Sequence, residues 1–162
     1  MSRLKTWTIF GLSVAILIAL DLWLKHWAAA NLPGEPRTLI PGFLGLRYLE
    51  NPGAAFGFLA GTDSGRWILT TLNLVILGGL LWYYNRLPLE KRLWWMRVPI
   101  IFVVAGGIGN LIDRIALGIV RDMLEFQFIS FPIFNLADVY VTGGVFALIF
   151  VVLFIVKDVP FR

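Results

Sequence analysis

Apolar residues run along this chain in long blocks, broken by two short mixed excursions and one basic connection. The first block covers about residues 7–30, the second 67–85, the third 98–115 and the fourth 136–156. Each approaches the roughly 20 residues that a helix needs to cross a bilayer. The pattern between them changes character. Residues 31–66 hold Pro33, Gly34, Pro36, Pro41 and Gly42, which exclude a long helix. Leu44, Leu46 and Tyr48 alternate with Gly45, Arg47 and Leu49, a period of two that predicts a short strand. Around Phe56–Leu59 the segment is too apolar for a free loop, which suggests a patch lying on a lipid surface. In the second excursion, residues 116–136, Val120, Asp122 and Leu124 alternate with Arg121, Met123 and Glu125, again predicting an extended segment.

Composition sharpens this picture. The chain has 162 residues, 59% hydrophobic and 15% charged. So little charge could not cover a soluble domain of that size, so an integral membrane protein is expected. The single expected domain spans residues 1–162. The net charge of +4 is not a nucleic-acid signal, because the basic residues sit between apolar blocks. Arg3 and Lys5, the 86–97 connection, and Lys157 with Arg162 fall on one side, which the positive-inside rule makes cytoplasmic. Both termini are then cytoplasmic and both excursions external. The first block imitates a cleavable signal peptide, but Asp21 and Lys25 interrupt its far end, and it is retained as a spanning helix. With no cysteine and one histidine, His26, thiol chemistry is excluded and histidine-based sites are disfavoured.

What remains for chemistry is carboxylates and amides at the outer helix ends. Ionisable residues there are functional candidates, because lipid makes them costly. Asp21 and Lys25 stand one turn apart on one helix face and can pair. Asn51 opens the run Asn51-Pro52-Gly53-Ala54-Ala55-Phe56-Gly57. Asn110, Asp113 and Arg114 end the third block, after Gly106, Gly107 and Gly109, which would let a neighbouring helix approach. Asp122 and Asp138 are sixteen positions apart with Pro132 between them. Two adjacent carboxylates cannot both ionise easily and share a proton, the arrangement of an aspartic protease. Each has a plainer reading. Asp138 can be a first-turn acid behind an Asn135 cap, and Asp122 a solvated charge beside Arg121. Asp113 stands as an equal candidate for the pair. Three carboxylates could also hold a hard cation, though Arg114 and Arg121 lie close and no metal is expected.

Five pieces in order resemble the bacterial lipoprotein signal peptidase (signal peptidase II) family: Asp21-Leu22-Trp23-Leu24-Lys25, the Asn51–Gly57 run, Gly107–Arg114, Gly118–Asp122 and Phe134–Asp138. The resemblance covers nearly the whole chain. It implies an all-α membrane protein of four transmembrane helices, with a small extracytoplasmic β-sheet cradle and a surface helix. It also implies an aspartic endopeptidase of the bacterial inner membrane. Such an enzyme removes signal peptides from prolipoproteins, cutting just before a diacylglyceryl-modified cysteine, and is inhibited by the cyclic peptide globomycin. The implied catalytic pair is Asp122 and Asp138. Asp21, Lys25, Asn51, Gly53, Asn110, Asp113, Arg114 and Asn135 fall on supporting or substrate-positioning positions. No cofactor is implied, and a monomer is expected. Leu22 and Met123 depart from the family pattern, where glutamine and phenylalanine are usual. The competing class is a small transporter using the same carboxylates, whose sites would lie near the bilayer midplane.

Overall fold

The computed structural model describes residues 2–53 and 63–156. In chain order the elements are α1 (Arg3–Asn31), β1 (Arg37–Ile40), β2 (Leu44–Asn51), α2 (Asp63–Arg86), a single 3-10 turn (Lys91–Leu93), α3 (Trp94–Ala116), β3 (Val120–Phe126) and α4 (Leu136–Phe150). A π-helical turn, Val151–Ile155, continues α4. Among the described residues, four helices are long and apolar enough to cross a membrane. The lipid patch expected around Phe56–Leu59, and with it the surface helix, lies outside the described residues.

Three of the helices outrun the apolar blocks that announced them. α1 starts at Arg3, where the Ser2 hydroxyl caps it by accepting from the Lys5 N–H at 3.3 Å. α2 starts at Asp63 and α3 at Trp94, each about a turn before its block. Hydropathy marks only the part that contacts hydrocarbon. The helical hydrogen bonds continue through the charged ends, since a broken ladder beside lipid leaves polar groups unpaired.

α3 is the central helix, and most of its surface is covered by the others. Between helices in lipid, close packing replaces the hydrophobic drive. Gly106 supplies it against α4: a Cβ there would overlap the Ala137 carbonyl oxygen and lie 2.9 Å from Val141. Gly144 answers from α4, where a Cβ would lie 2.7 Å from Val103 and 2.9 Å from the Pro99 carbonyl. Gly107 instead faces α2, where Asn73 Nδ2 donates to its carbonyl at 2.9 Å. At the far end from the sheet, Phe10, Tyr84, Met96 and Ile100 close the core.

The sheet is antiparallel in the order β1-β2-β3. β2 and β3 occupy the segments whose alternation announced them. β1 gives no such signal, because all four of its residues are exposed and alternate nothing. α3 ends at Leu117–Gly118, whose N–H groups donate to the Asp113 and Arg114 carbonyls, and Gly118 takes the left-handed conformation (φ +76°) that stops a helix. The chain then returns as β3. Past the turn containing Pro132, Phe134 pairs with Leu124, exchanging N–H···O bonds of 3.0 and 2.8 Å. That small pairing brings the start of α4 beside Asp122. Met123, on the next position, packs into a buried cluster with Ala28 of α1 and Leu32 just past its end.

Candidate active site

The pairing of Phe134 with Leu124 sets Asn135 against Asp122, and Asn135 is the hub of the polar cluster around it. It caps α4: its Oδ1 accepts from the Asp138 N–H at 2.9 Å, while Asp138 Oδ2 accepts from the Asn135 N–H at 3.1 Å. Its Nδ2 group donates to Asp122 Oδ1 at 2.7 Å and to Asn110 Oδ1 at 3.1 Å. One asparagine therefore touches both aspartates. The cap reading of Asp138 holds, and the same asparagine that makes the cap also bonds Asp122.

Asn110 holds the other side. Its Nδ2 donates to Asp138 Oδ1 at 2.7 Å, and its Oδ1 accepts from Lys25 Nζ at 2.9 Å as well as from Asn135. Asn51 reaches Asp122 from β2, with Nδ2 donating to Oδ2 at 2.9 Å. Gly53 fixes which way that amide points. Its N–H donates to Asn51 Oδ1 at 2.9 Å, a local turn that leaves Nδ2 facing Asp122. With φ of +101°, position 53 favours glycine.

Behind this front lies a buried layer of charge. Lys25 is fully covered and sits 2.9 Å from Asp21 Oδ2, an ion pair rather than an aligned hydrogen bond. Asp21 Oδ1 accepts from the Ala137 N–H at 2.9 Å, tying α1 to the first turn of α4. Gly109 makes room for that carboxylate: a Cβ there would lie 2.6 Å from Oδ2. Asp113 does not join the front pair. Its Oδ1 accepts from Arg121 Nη2 at 2.6 Å, and its Oδ2 from Arg121 N and Nε at 3.0 and 3.2 Å. The choice that the sequence left open among three aspartates is thus narrowed by partners: Asp113 faces cations, whereas Asp122 and Asp138 face amides. Arg114 is half-buried and within electrostatic reach of Asp138 and Asp122.

Burial pushes the Asp122 carboxyl up to about 6. The amide of Asn51 opposes this by favouring the charged form, the negative charge of Asp138 adds to it, and Asn135 and Lys25 again oppose it. A carboxyl that still holds its proton at weakly acid pH, joined through one asparagine to a second carboxyl, can donate and accept protons in one turnover. Both groups lie outside the middle of any helix: Asp138 is the third residue of α4 and Asp122 is in the sheet.

Two features escaped the sequence. Arg121 looked only like the neighbour of a solvated Asp122. Successive side chains of a strand leave on opposite faces, and Arg121 points to Asp113 instead. Gly109 looked like a helix-packing glycine, but its close contact is the Asp21 carboxylate. His26 is exposed, with Nδ1 2.8 Å from the Leu22 carbonyl.

Comparison with known proteins places relatives beside this geometry. The family model described as Signal peptidase (SPase) II matches residues 13–154. A lipoprotein signal peptidase of Streptococcus thermophilus (strain CNRZ 1066) is 41% identical over 140 residues, 86% of this chain and 88% of its own. One of Streptococcus pneumoniae (strain ATCC BAA-255 / R6) is 38% identical over 151 residues, 93% of this chain and 95% of its own. Two solved structures, each described as a bacterial membrane enzyme structure by the in meso method, superpose with TM-scores of 0.78 at 29% identity. They cover 93% and 91% of this chain and 90% and 94% of their own.

Proposed function

The chain belongs to the signal peptidase II family, and from that premise we propose that it is a membrane aspartic endopeptidase whose catalytic residues are Asp122 and Asp138. Its substrate on this reading is a prolipoprotein bearing a diacylglyceryl group on a cysteine, and the bond cut lies just before that cysteine. The observation that carries the reading is the hold of Asn135 on both carboxyls, with Asp122 raised beside Asp138.

The chemistry then turns on one shared proton. Asp138, ionised, takes a proton from a water as the water oxygen attacks the scissile carbonyl carbon. Asp122 gives its proton to the carbonyl oxygen, and a gem-diol forms. In the second half Asp138 returns its proton to the departing nitrogen, the C–N bond breaks, and one diol hydroxyl gives its proton back to Asp122. Asn51 and Asn110 hold the two carboxyls in place throughout, and Arg114 contributes positive charge beside the tetrahedral species. Membrane lipid surrounds the site on this reading. The basic residues support cytoplasmic termini and a site at the outer face.

Recognition rests on the lipid, since each buried methylene contributes roughly 0.8 kcal/mol and two acyl chains outweigh a short peptide contact. The test is cleavage by purified protein of one precursor with and without its diacylglyceryl group. Asp122→Asn and Asp138→Asn should each reduce turnover by orders of magnitude, the double change being hardly worse, because the two act as a unit. Both variants should still bind globomycin. Equal rates on modified and unmodified precursor, or a near-normal rate for Asp122→Asn, would refute the reading.

A further inference from the structure

Four ionisable side chains lie buried together behind the proposed pair: Asp21, Lys25, Asp113 and Arg121. Two acids face two bases, yet the contacts are unequal. The Arg121 guanidinium takes both oxygens of Asp113, and its own backbone N–H takes one of them as well. Lys25 Nζ is left 3.6 Å from Asp113 Oδ2, against 2.9 Å to Asp21 and 2.9 Å to Asn110. Arginine's planar fork suits this two-point hold, and lysine's point charge does not.

We propose that Arg121 is a positioning residue for both aspartates: its clamp on Asp113 fixes the start of β3 and so Asp122, and by occupying Asp113 it leaves Lys25 to Asn110, which holds Asp138. This rests on Asp122 and Asp138 being the catalytic pair. The first arm is direct. The Arg121 guanidinium holds Asp113 of α3 at 2.6 and 3.2 Å one residue before Asp122, so the strand cannot slide along α3 without breaking two charge-assisted bonds, and the backbone N–H bond, which any residue at 121 would keep, cannot hold the strand alone. The second arm is competition. Without the guanidinium, Asp113 stays buried with Lys25 as its nearest cation, and Lys25 is drawn from Asn110 towards it. Asn110 then loses one of the two donors, Lys25 and Asn135, that fix its Oδ1 and so turn its Nδ2 to Asp138.

The charged and titratable groups around Arg121 come from every element it meets. Asp113 faces it from α3, with Lys25 and Asp21 of α1 behind. From β2 come Glu50, its partner in strand register, and Tyr48, whose hydroxyl donates to Glu50 at 3.1 Å. Asp122 leaves β3 on the other face. Removing the guanidinium therefore adds one negative charge to the layer behind the pair, which favours the protonated form of Asp122.

The experiment measures kcat, KM and their pH dependence on a lipid-modified precursor, per folded enzyme in detergent, for four variants. Arg121→Leu should lower kcat on the order of 10²-fold, as a small misplacement of reacting groups does. KM should be unchanged, and the alkaline limb of activity should move to higher pH. The double variant Asp113→Asn with Arg121→Leu restores the charge balance, so its limb should return while kcat stays low. Arg121→Lys keeps the charge without the fork and should lose part of kcat with its limb unmoved, which also serves if Arg121→Leu does not fold. Asp122→Asn reports on the underlying pair: if it stays active, the catalytic-pair reading fails and takes this proposal with it, whereas an inactive Asp122→Asn beside a fully active Arg121→Leu refutes this proposal alone. Normal kcat in Arg121→Leu, full kcat in Arg121→Lys, or a raised KM at normal kcat would each overturn the proposal, the last by making Arg121 a substrate contact.

Discussion

Gly109→Ala adds a single methyl group, and its effect can be worked from distances. The new Cβ would lie 2.6 Å from Asp21 Oδ2 and 3.3 Å from its Cγ, whereas ordinary contact begins near 3.4 Å. The carboxylate must retreat by the better part of an ångström. It is not a free chain end: Oδ1 holds the Ala137 N–H at 2.9 Å and Oδ2 holds Lys25 at 2.9 Å. Overpacking of this kind costs about 1–3 kcal/mol, and loosening a hydrogen bond to a charged group costs about 1.5–3 more. The intrinsic gain of alanine over glycine in a helix returns only about 1 kcal/mol. A net loss of about 1.5–5 kcal/mol results, together with displacement of α4 at Ala137, one residue before Asp138. Gly143→Ala is the control, since nothing lies within 4 Å of its Cβ position, and it should be neutral or slightly stabilising. The assay is thermal unfolding in detergent alongside cleavage per folded enzyme. If Gly109→Ala were as stable and active as Gly143→Ala, Asp21 would not be held as described, and the argument for the buried layer would fall with it.

Three further outcomes are expected. Asn51→Leu keeps Asp122 buried but removes a hydrogen bond to its charged form, so the alkaline limb of kcat/KM, near pH 6 from the Asp122 value of about 6, should move to higher pH; a shift to lower pH would contradict it. Asn135→Ser retains a capping oxygen but has a single donor where the amide bridges Asp122 and Asn110, so most activity should vanish while the unfolding temperature barely changes; equal loss of both would reduce Asn135 to a cap. Because the chain has no cysteine, Glu35→Cys and Lys91→Cys give a clean topology assay: in intact cells an impermeant maleimide should label the first and spare the second, and the reverse pattern would put the site on the inner face.

The spanning helices were legible because each is a long apolar block, and β2 and β3 because their alternation survives in the sequence. β1 was not, since a fully exposed edge strand has no buried face to impose a period. The site was legible in part for the same kind of reason. Asp21 and Lys25 are one turn apart, so local geometry predicts their meeting. Their other partners, Ala137 and Asn110, are more than eighty residues away in sequence, and nothing local announces them. The glycine run in α3 could be read as close packing, but not that Gly106 yields to a backbone carbonyl, Gly107 to α2 and Gly109 to a carboxylate. The roles come from helix rotation against three different neighbours, which only the assembled fold fixes.

On the proposed reading capping and catalysis both fall to Asp138, and the physical requirements make the two compatible. A carboxyl that must move protons needs a fixed direction, and the first turn of a helix supplies one, because its backbone N–H groups lack helical partners and seek an acceptor. Asp138 spends Oδ2 on the Asn135 N–H and keeps Oδ1 for Asn110. That leaves a rigid carboxyl with lone pairs remaining on both oxygens. Asp122 reaches the same state by another route, one oxygen on Asn51 and the other on Asn135, from a strand rather than a helix. Amide donors suit this purpose better than cations. A lysine or arginine at the same positions would hold the carboxyls ionised, and an ionised Asp122 would have no proton to give. On that reading the division of partners, cations for the rear aspartates and amides for the front ones, is what lets one cluster contain both scaffold and reactive carboxyls.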